Sequence, residues 1–579
     1  MPLIKRRESD SEKTLFSSAV PGVLQKIYAA RGLSKDEDVD LSLQQLLAPN
    51  LKGLSEAVEL IADALEKQLS ILIVGDFDCD GATSSAVAVQ ALRDMGAREV
   101  DFLVPNRFEY GYGLTPEIVE VAAKRKPNLL ITVDNGISSV EGVALANRLG
   151  IQVVVTDHHL APEQLPDAAA IVNPNQPGCE FASKNLAGVG VIFYVMSVLR
   201  SELRVRNWFQ TQNIPEPKMA DYLDLVALGT VADVVPLDKN NRILVAQGIA
   251  RIKAGRVRPG IKALLDVSGR SANRLVSADF GFAIGPRLNA AGRLDDMSIG
   301  IRCLLAKDSS TADELAAQMN DLNHDRRSIE TAMQREAEKT LQALSLNEEA
   351  MPYGLCLYQG DWHQGVIGIL ASRIKDKYHR PTIVFADAEP KPGSELEIKG
   401  SARSVTGLHI RDTLDAVATK HPKLLKKFGG HAMAAGMSLL KKDYSAFVEA
   451  FDQEVRKQLT ADDLQAVIFS DGELQAEAFN LALAQQLRDA GPWGQHFPEP
   501  VFDGEFQLLQ QRIVGEKHLK MTVAIGVGEQ AVDAIAFNVD VGLWPNNAVE
   551  RVRLAYRLDV NEFRGNQSLQ LMVNHIQPA

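Results

Sequence analysis

The apolar positions of this chain change rhythm several times, and each change predicts a different kind of element. From about residue 55, amphipathic stretches alternate with short β-branched runs. A helix over Ser55–Lys67 precedes a strand over Ile71–Val74, Ala82–Met95 precedes Val100–Val104, and Pro116–Lys124 precedes Leu129–Val133. Val140–Leu149 then precedes Gln152–Thr156, and a further strand follows at Ala170–Val172. Alternation at this spacing predicts βαβ units and a parallel sheet. From about 185 to 300 the spacing is helical, through Leu223–Gly229 and beyond. Residues 310–345 hold no Gly or Pro and few apolar positions, which predicts one long connector helix between two lobes. A second α/β region runs from Tyr353 to about Phe451, with strands near Gly354–Leu357 and Thr382–Phe385. The last stretch, 465–579, carries short β-like segments at Val501–Leu509, Leu519–Ile525, Val532–Phe537, Val552–Leu558 and Leu569–Val573. Five such strands with one helix predict a small β-barrel of the OB type. The first 50 residues read as an arm with a helix at Val23–Tyr28.

Polar residues enter this pattern at telling places. Ile71–Val74 runs into Gly75-Asp76-Phe77-Asp78-Cys79-Asp80-Gly81, Leu129–Val133 into Asp134-Asn135-Gly136, and Gln152–Thr156 into Asp157-His158-His159. In an open parallel sheet the ligand crevice lies outside the C-terminal strand ends. Several carboxylates and a histidine gathered there are costly unless cations bind them. Extended backbone would put Asp76 and Asp78 on one side, so that each could hold one of two neighbouring cations. The competing assignments are a calcium loop of EF-hand type, whose closing Glu is missing, and a helix N-cap cluster. Asp134 can bridge two cations because a carboxylate has two oxygens. His158 and His159, in extended geometry, would diverge, one toward metal and the other toward substrate, with Asp157 orienting a ring. Asp233 stands in the nearly apolar run Gly229–Pro236, where it either caps a helix or completes the metal set.

Composition narrows the class. The chain has 579 residues, enough for three or four domains, with 46% hydrophobic and 23% charged residues. No apolar run approaches the ~20 residues of a membrane helix, and no apolar stretch follows the basic N-terminus. Cys79, Cys179, Cys303 and Cys356 are scattered, as expected of reduced thiols in a cytoplasmic protein. A net charge of −12 argues against coating duplex DNA through a broad basic face. It leaves open a narrow, locally basic groove for one strand. In the tail, Arg512, Lys517, His518, Lys520 and Arg564 are candidates for such a grip, with Phe506 and Phe563 able to stack on bases unless they fill the core.

Gly75–Gly81, Val133–Gly136, Asp157–His159 and Gly229–Pro236 together resemble the amino-terminal motifs of the DHH phosphoesterase superfamily. Four later strings resemble its RecJ family of bacterial single-strand-specific 5′→3′ exonucleases: Gly285–Arg293, His363–Gly368, Gly400–Ser404 and Gly429–Gly436. The resemblance spans about residue 50 to the end. It implies an α/β fold of two lobes, DHH and DHHA1 in type, joined by the long helix and followed by an OB-like barrel. The implied segments are an N-terminal arm (1–50), the DHH catalytic domain (51–308), the connector (309–346), the DHHA1 domain (347–460) and a nucleic-acid-binding barrel (461–579).

By position, the resemblance implies that Asp76, Asp78, Asp134, His158 and Asp233 hold two divalent cations, Mg²⁺ or Mn²⁺. Asp134, His159 and Arg287 carry catalysis. Arg107, Arg287, Asn289, Ser401, Arg403 and His431 contact the 5′ phosphate and the strand. Independently, arginines close to glycines suit phosphate, because small neighbours let the backbone approach while the guanidinium forks onto oxygens. Leu72 stands where many superfamily members carry a histidine, which leaves the first metal fewer protein ligands. The implied function is metal-dependent 5′→3′ digestion of single-stranded DNA to mononucleotides in repair, including mismatch repair, and in recombination. The implied partners are a single-strand DNA-binding protein and a RecQ-type helicase, with no membrane, for a monomer. Two alternatives are a DHH phosphodiesterase of oligonucleotides or cyclic dinucleotides, and a catalytically inactive RecJ-like replication scaffold.

Overall fold

The computed structural model describes every residue except 1, 9–13, 107–109, 111–112, 345–350, 390–392, 394 and 527–529, with the side chains of 343, 344 and 563 also left aside. It divides into two compact units, one of residues 6–322 with 469–579 and one of 1–5 with 323–468.

The first unit is built on five parallel strands, β1 (Ile71–Gly75), β2 (Val100–Leu103), β3 (Leu129–Val133), β4 (Gln152–Thr156) and β5 (Ala170–Val172), in the order β2-β1-β3-β4-β5. The apolar runs are continuous because both faces are covered. Leu72, Val74, Leu130, Val153 and Val155 point into one core, whereas Ile71, Ile73, Ile131, Val133 and Val154 point into the other. Each such side chain contributes about 1.5–3 kcal/mol when fully buried. This strand order has its topological switch between β1 and β3, where neighbouring connections leave to opposite faces and open a crevice. Helices α1 (Cys79–Asp94), α2 (Gly188–Val205), α3 (Leu223–Ala232) and α4 (Gly285–Leu294) pack around that end of the sheet. The acidic loop is therefore shorter than expected, since α1 begins at Cys79 rather than Ala82. The cause is Asp78, whose carboxylate caps α1 by accepting from Gly81 N–H at 3.0 Å.

The unit also contains a closed barrel of β11 (Phe502–Val514), β12 (His518–Ile525), β13 (Gln530–Ala536), β14 (Arg551–Phe563) and β15 (Asn566–Pro578), in the order β11-β12-β13-β15-β14. Only β13 and β15 run parallel, the OB arrangement. The strands are longer than the apolar segments suggested, because their outer ends are polar and paired. Phe506 is core, 5% exposed, its ring 5.4 Å from that of Tyr556, so it offers no face to a base. The side chain of Phe563 lies outside the described residues.

The second unit holds a mixed sheet of β6 (Leu355–Tyr358), β7 (Thr382–Asp387), β8 (Glu397–Arg403), β9 (Lys427–Gly430) and β10 (Ala434–Leu440), ordered β9-β10-β8-β7-β6. The last three of these in sequence, β8 to β10, extend the two strands anticipated near 354 and 382. The expected connector is a 36-residue helix, α5 (Ser309–Leu344), which carries the chain from the first unit into the second.

Candidate metal centre

The ends of β1 and β3 are clamped before any ligand is considered. Asn135 donates from Nδ2 to the carbonyls of Val74 at 3.1 Å and Val133 at 2.9 Å. Asp134 follows in the left-handed region, with φ of 62°, which turns its carboxylate back over the strand ends. The loop after β1 is held from α4, where Asn289 Oδ1 accepts from Cys79 N–H at 2.7 Å. The same helix passes close enough to Phe77 that a Cβ on Gly292 would sit 1.8 Å from its carbonyl oxygen. From α2, a Cβ on Gly188 would meet Asp134 Cβ at 2.6 Å and Oδ1 at 2.7 Å.

Three sets of donor atoms converge here, each with its atoms within 4.8 Å of one another: Asp76, Asp78 and Asp134; Asp134, His158 and His159; and Asp80, His158 and Asp233. Asp134 and His158 each belong to two sets, as a pair of neighbouring cations would require. His158 Nε2 lies 3.1 Å from Asp134 Oδ1 and 3.4 Å from Asp233 Oδ2, yet this buried nitrogen makes no hydrogen bond among the described residues. Donors that are mostly carboxylate oxygens, with imidazole nitrogens beside them, suit Mg²⁺ or Mn²⁺. The residues present therefore fit divalent cations.

The charges say the same. Loss of solvent, then Asp233, pushes the Asp80 carboxyl up to about 7. Loss of solvent, then Asp78, pushes Asp233 up to about 8. Asp134 is raised well above the carboxylate range by burial and by the facing Asp80 and Asp78. Burial, with His159 beside it, lowers His158 and keeps its imidazole neutral and able to ligate. Asp157 behaves oppositely. Although buried, it is held down at about 2 by the His159 ring, 2.7 Å away at Nδ1, and by Ile137 N–H at 2.9 Å. His159 is itself desolvated, but that partner raises it to about 9. The two imidazoles do not diverge as extended backbone would have them. β4 ends at Thr156, Asp157 accepts from the amides of both histidines, and the ring centroids lie 4.5 Å apart.

Asp233 stands at the C-terminal cap position of α3, not at a helix start. Asp80, which the expected ligand set leaves out, shares a donor set with His158 and Asp233. Its two oxygens accept from Gly188 N–H at 2.6 Å and Val189 N–H at 3.0 Å, so it caps α2 while facing His158 and Asp233. Its position as the third acid of Asp-x-Asp-x-Asp was the available signal.

The phosphate candidates divide between the units. Arg287 is 7% exposed and donates to the Ala283 carbonyl at 2.7 Å and to Asn320 Oδ1 at 3.0 Å within the first unit. In the second, Ser401 and Arg403 share one face of β8, with Arg403 Nη1 donating to Ser401 Oγ at 3.2 Å and to the Ala402 carbonyl at 2.8 Å. Gly436 pairs with Ser401, and a Cβ there would meet nothing within 4 Å, so the shelf is open. His431 is exposed in the β9–β10 turn, its amide donating to the Ala434 carbonyl at 2.8 Å. Arg107 lies outside the described residues.

Comparison with known proteins meets this geometry. The sequence is 54% identical over 573 residues to the single-stranded-DNA-specific exonuclease RecJ of Dickeya dadantii, covering 99% of each chain. To that of Escherichia coli it is 52% identical over 576 residues, again covering 99% of each. The chain belongs to the RecJ family. Within it, the DHH family N-terminal domain matches residues 70–230, the DHHA1 domain 352–457 and the RecJ OB domain 470–575. The crystal structure of RecJ in complex with Mn²⁺ from Thermus thermophilus is similar with a TM-score of 0.78 at 28% identity, covering 96% of this chain and 76% of that one. A crystal structure of exonuclease RecJ bound to manganese gives 0.58 at 31% identity, covering 72% and 100%. The fold is thus that of RecJ, two α/β parts of DHH and DHHA1 type and a C-terminal OB barrel.

Proposed function

We propose that this chain is a divalent-metal-dependent exonuclease of single-stranded DNA that digests from the 5′ end to mononucleotides. The observation that carries the hydrolytic reading is the convergence of three donor sets on Asp134 and His158. Membership of the RecJ family, whose curated relatives are named for the substrate, carries the rest.

Asp76, Asp78, Asp134, His158 and Asp233 would hold the cations, and Asp80, which caps α2, would be available to them as a further donor. When bound, the cations supply Lewis-acid activation of water and of the phosphodiester. The chain's own residues then do three things. Asp134 keeps the donor sets in register through its clamped, left-handed backbone. His159, held in place by its bond to Asp157, would face a phosphoryl oxygen. Ser401 and Arg403, aligned on β8, would grip the terminal phosphate, with Arg107, Arg287, Asn289 and His431 as further contacts to the strand. The segments 1–50, 51–308, 309–346, 347–460 and 461–579 would act as arm, catalytic domain, connector, DHHA1 domain and barrel.

No helix among the described residues is long and apolar enough to cross a membrane. A cytoplasmic, monomeric enzyme working beside a single-strand DNA-binding protein and a RecQ-type helicase, in repair and recombination, completes the proposal. The direct test is end-labelled single-stranded and duplex DNA with Mg²⁺, with Mn²⁺ and with neither, resolved on a gel. Metal-dependent stepwise loss from the 5′ end of the single strand is expected. Internal cuts, or digestion of dinucleotides alone, would sink it.

A further inference from the structure

A cavity of about 440 Å³ is lined by the residues that flank Asp233 in the chain, and no role has been given to it above. Its wall begins one residue from a proposed ligand, since Ala232 and Val234 line it on either side of Asp233. Two features of that wall are unusual. Val234 is 62% exposed and sits at φ of 60°, a conformation that β-branched residues rarely adopt. Also in the lining is Phe282, which a π-turn over Phe280–Ile284, a form common at functional sites, presents with 79% of its surface exposed. The segments bounding the cavity are tied together. Leu237 N–H donates to the Gln495 carbonyl at 2.8 Å, and Ser277 Oγ–H to the Trp493 carbonyl at 2.6 Å. Leu558 of the barrel completes the lining.

The chemistry of the lining selects its occupant. The walls are apolar and include two aromatic rings, Phe282 and Trp493. The charged groups at the cavity are Arg488, Glu499 and Asp559, of which Arg488 is 3.5 Å from Asp489 and Glu499 is paired with Arg557. A phosphate would meet two carboxylates and no uncommitted cation among these, whereas a neutral heteroaromatic ring meets stacking surface with hydrogen-bonding groups at the rim.

We propose that this cavity receives a nucleobase of the single strand whose phosphodiester lies at the metal centre, with Phe282 as the stacking residue and Val234 as part of the wall. It rests on the hydrolytic reading above. Holding a base here would fix the register of the strand relative to the cations independently of base identity.

The test is a walk. Single-stranded oligonucleotides carrying one abasic site at each of the first several positions are digested by the full chain with Mn²⁺. The wild type should slow about tenfold when the abasic position reaches one particular register, the scale of one lost stacking contact. Phe282→Ala should slow digestion of unmodified strands by a similar factor and show no further loss at that register. Phe282→Tyr should keep the register effect. The exposed side chain leaves no hole on truncation, so the variant should fold. If Phe282→Ala digests like wild type, or the abasic penalty persists undiminished in it, the cavity assignment is overturned while the hydrolytic reading stands. If the wild type digests no unmodified strand with either metal, the hydrolytic reading falls and takes the cavity with it.

Discussion

The ends of β1 and β3 and the outer face of the barrel both carry charge, but they treat it in opposite ways. At the strand ends, Asp80, Asp134 and Asp233 are withdrawn from water and raised above the ordinary carboxylate range by burial and by neighbouring carboxylates. On the barrel, Arg512 and Lys520 stand side by side on β11 and β12, and Lys520 is half-exposed beside Asp533 at 2.9 Å. The first arrangement stores repulsion that a proton or a cation relieves. The second is solvated and commits little energy until a polyanion arrives. On the proposed reading, chemistry is built from groups the fold makes costly, and grip from groups it leaves nearly neutral in energy.

The largest effect should come from removing the shared ligand. Asp134→Ala is expected to lower single-strand hydrolysis by at least about a thousandfold while the circular-dichroism spectrum is retained. Substantial residual metal-dependent activity would mean that the donor sets do not act through this residue.

Stability of the cation-free chain sharpens the same contrast. Asp80 and Asp233 have folded-state pKa values near 7 and 8, above the ~4 of an unfolded aspartate. The folded state therefore binds more protons than the unfolded state between pH 4 and 8, and stability falls as pH rises through that window. Adding Mn²⁺ should raise Tm more at pH 8 than at pH 6, because the ion competes with protons for the same oxygens. An equal Tm shift at both would contradict buried, unrelieved carboxylates.

Arg403→Ala should reduce the preference for 5′-phosphorylated over 5′-hydroxyl strands by roughly tenfold, with metal affinity by calorimetry unchanged. Equal loss on both strand types would remove Arg403 from the end pocket. The smallest effect belongs to the barrel. Arg512→Ala or Lys520→Ala should each change binding of a long strand by only a few-fold and reduce the slope of log affinity against log salt by about 0.7. A loss as large as that of Asp134→Ala would erase the distinction between the two regions.

What the sequence made legible follows from the same physics. A carboxylate ending a β-branched run is a local signal, so Asp76, Asp134 and Asp157 were readable, and a parallel sheet followed from the alternation around them. Asp80 was not assigned as a ligand because its facing depends on α1 starting at Cys79, which is set by the cap at Asp78. β8 went unseen because Glu397–Arg403 is polar and small along its length. Only Ile398, Gly400 and Ala402 face inward, and the neighbours supply the bulk. Phe506 was ambiguous for the usual reason: alternation gives two faces and does not say which is wet. Two exposed aromatic residues, Phe282 and Phe537, sit where a π-turn and a strand end decide the facing, and periodicity reports neither.

The contact between Gly188 and Asp134 has a consequence for how such a chain can vary. The clearance between them is the size of a hydrogen atom, so a methyl group on α2 would displace the shared carboxylate itself. Gly188 therefore cannot gain a side chain while Asp134 keeps its place, although the two codons lie far apart in the gene. A lineage that abandoned catalysis would be freed at both places together, and a library that randomised one alone would mostly sample dead proteins.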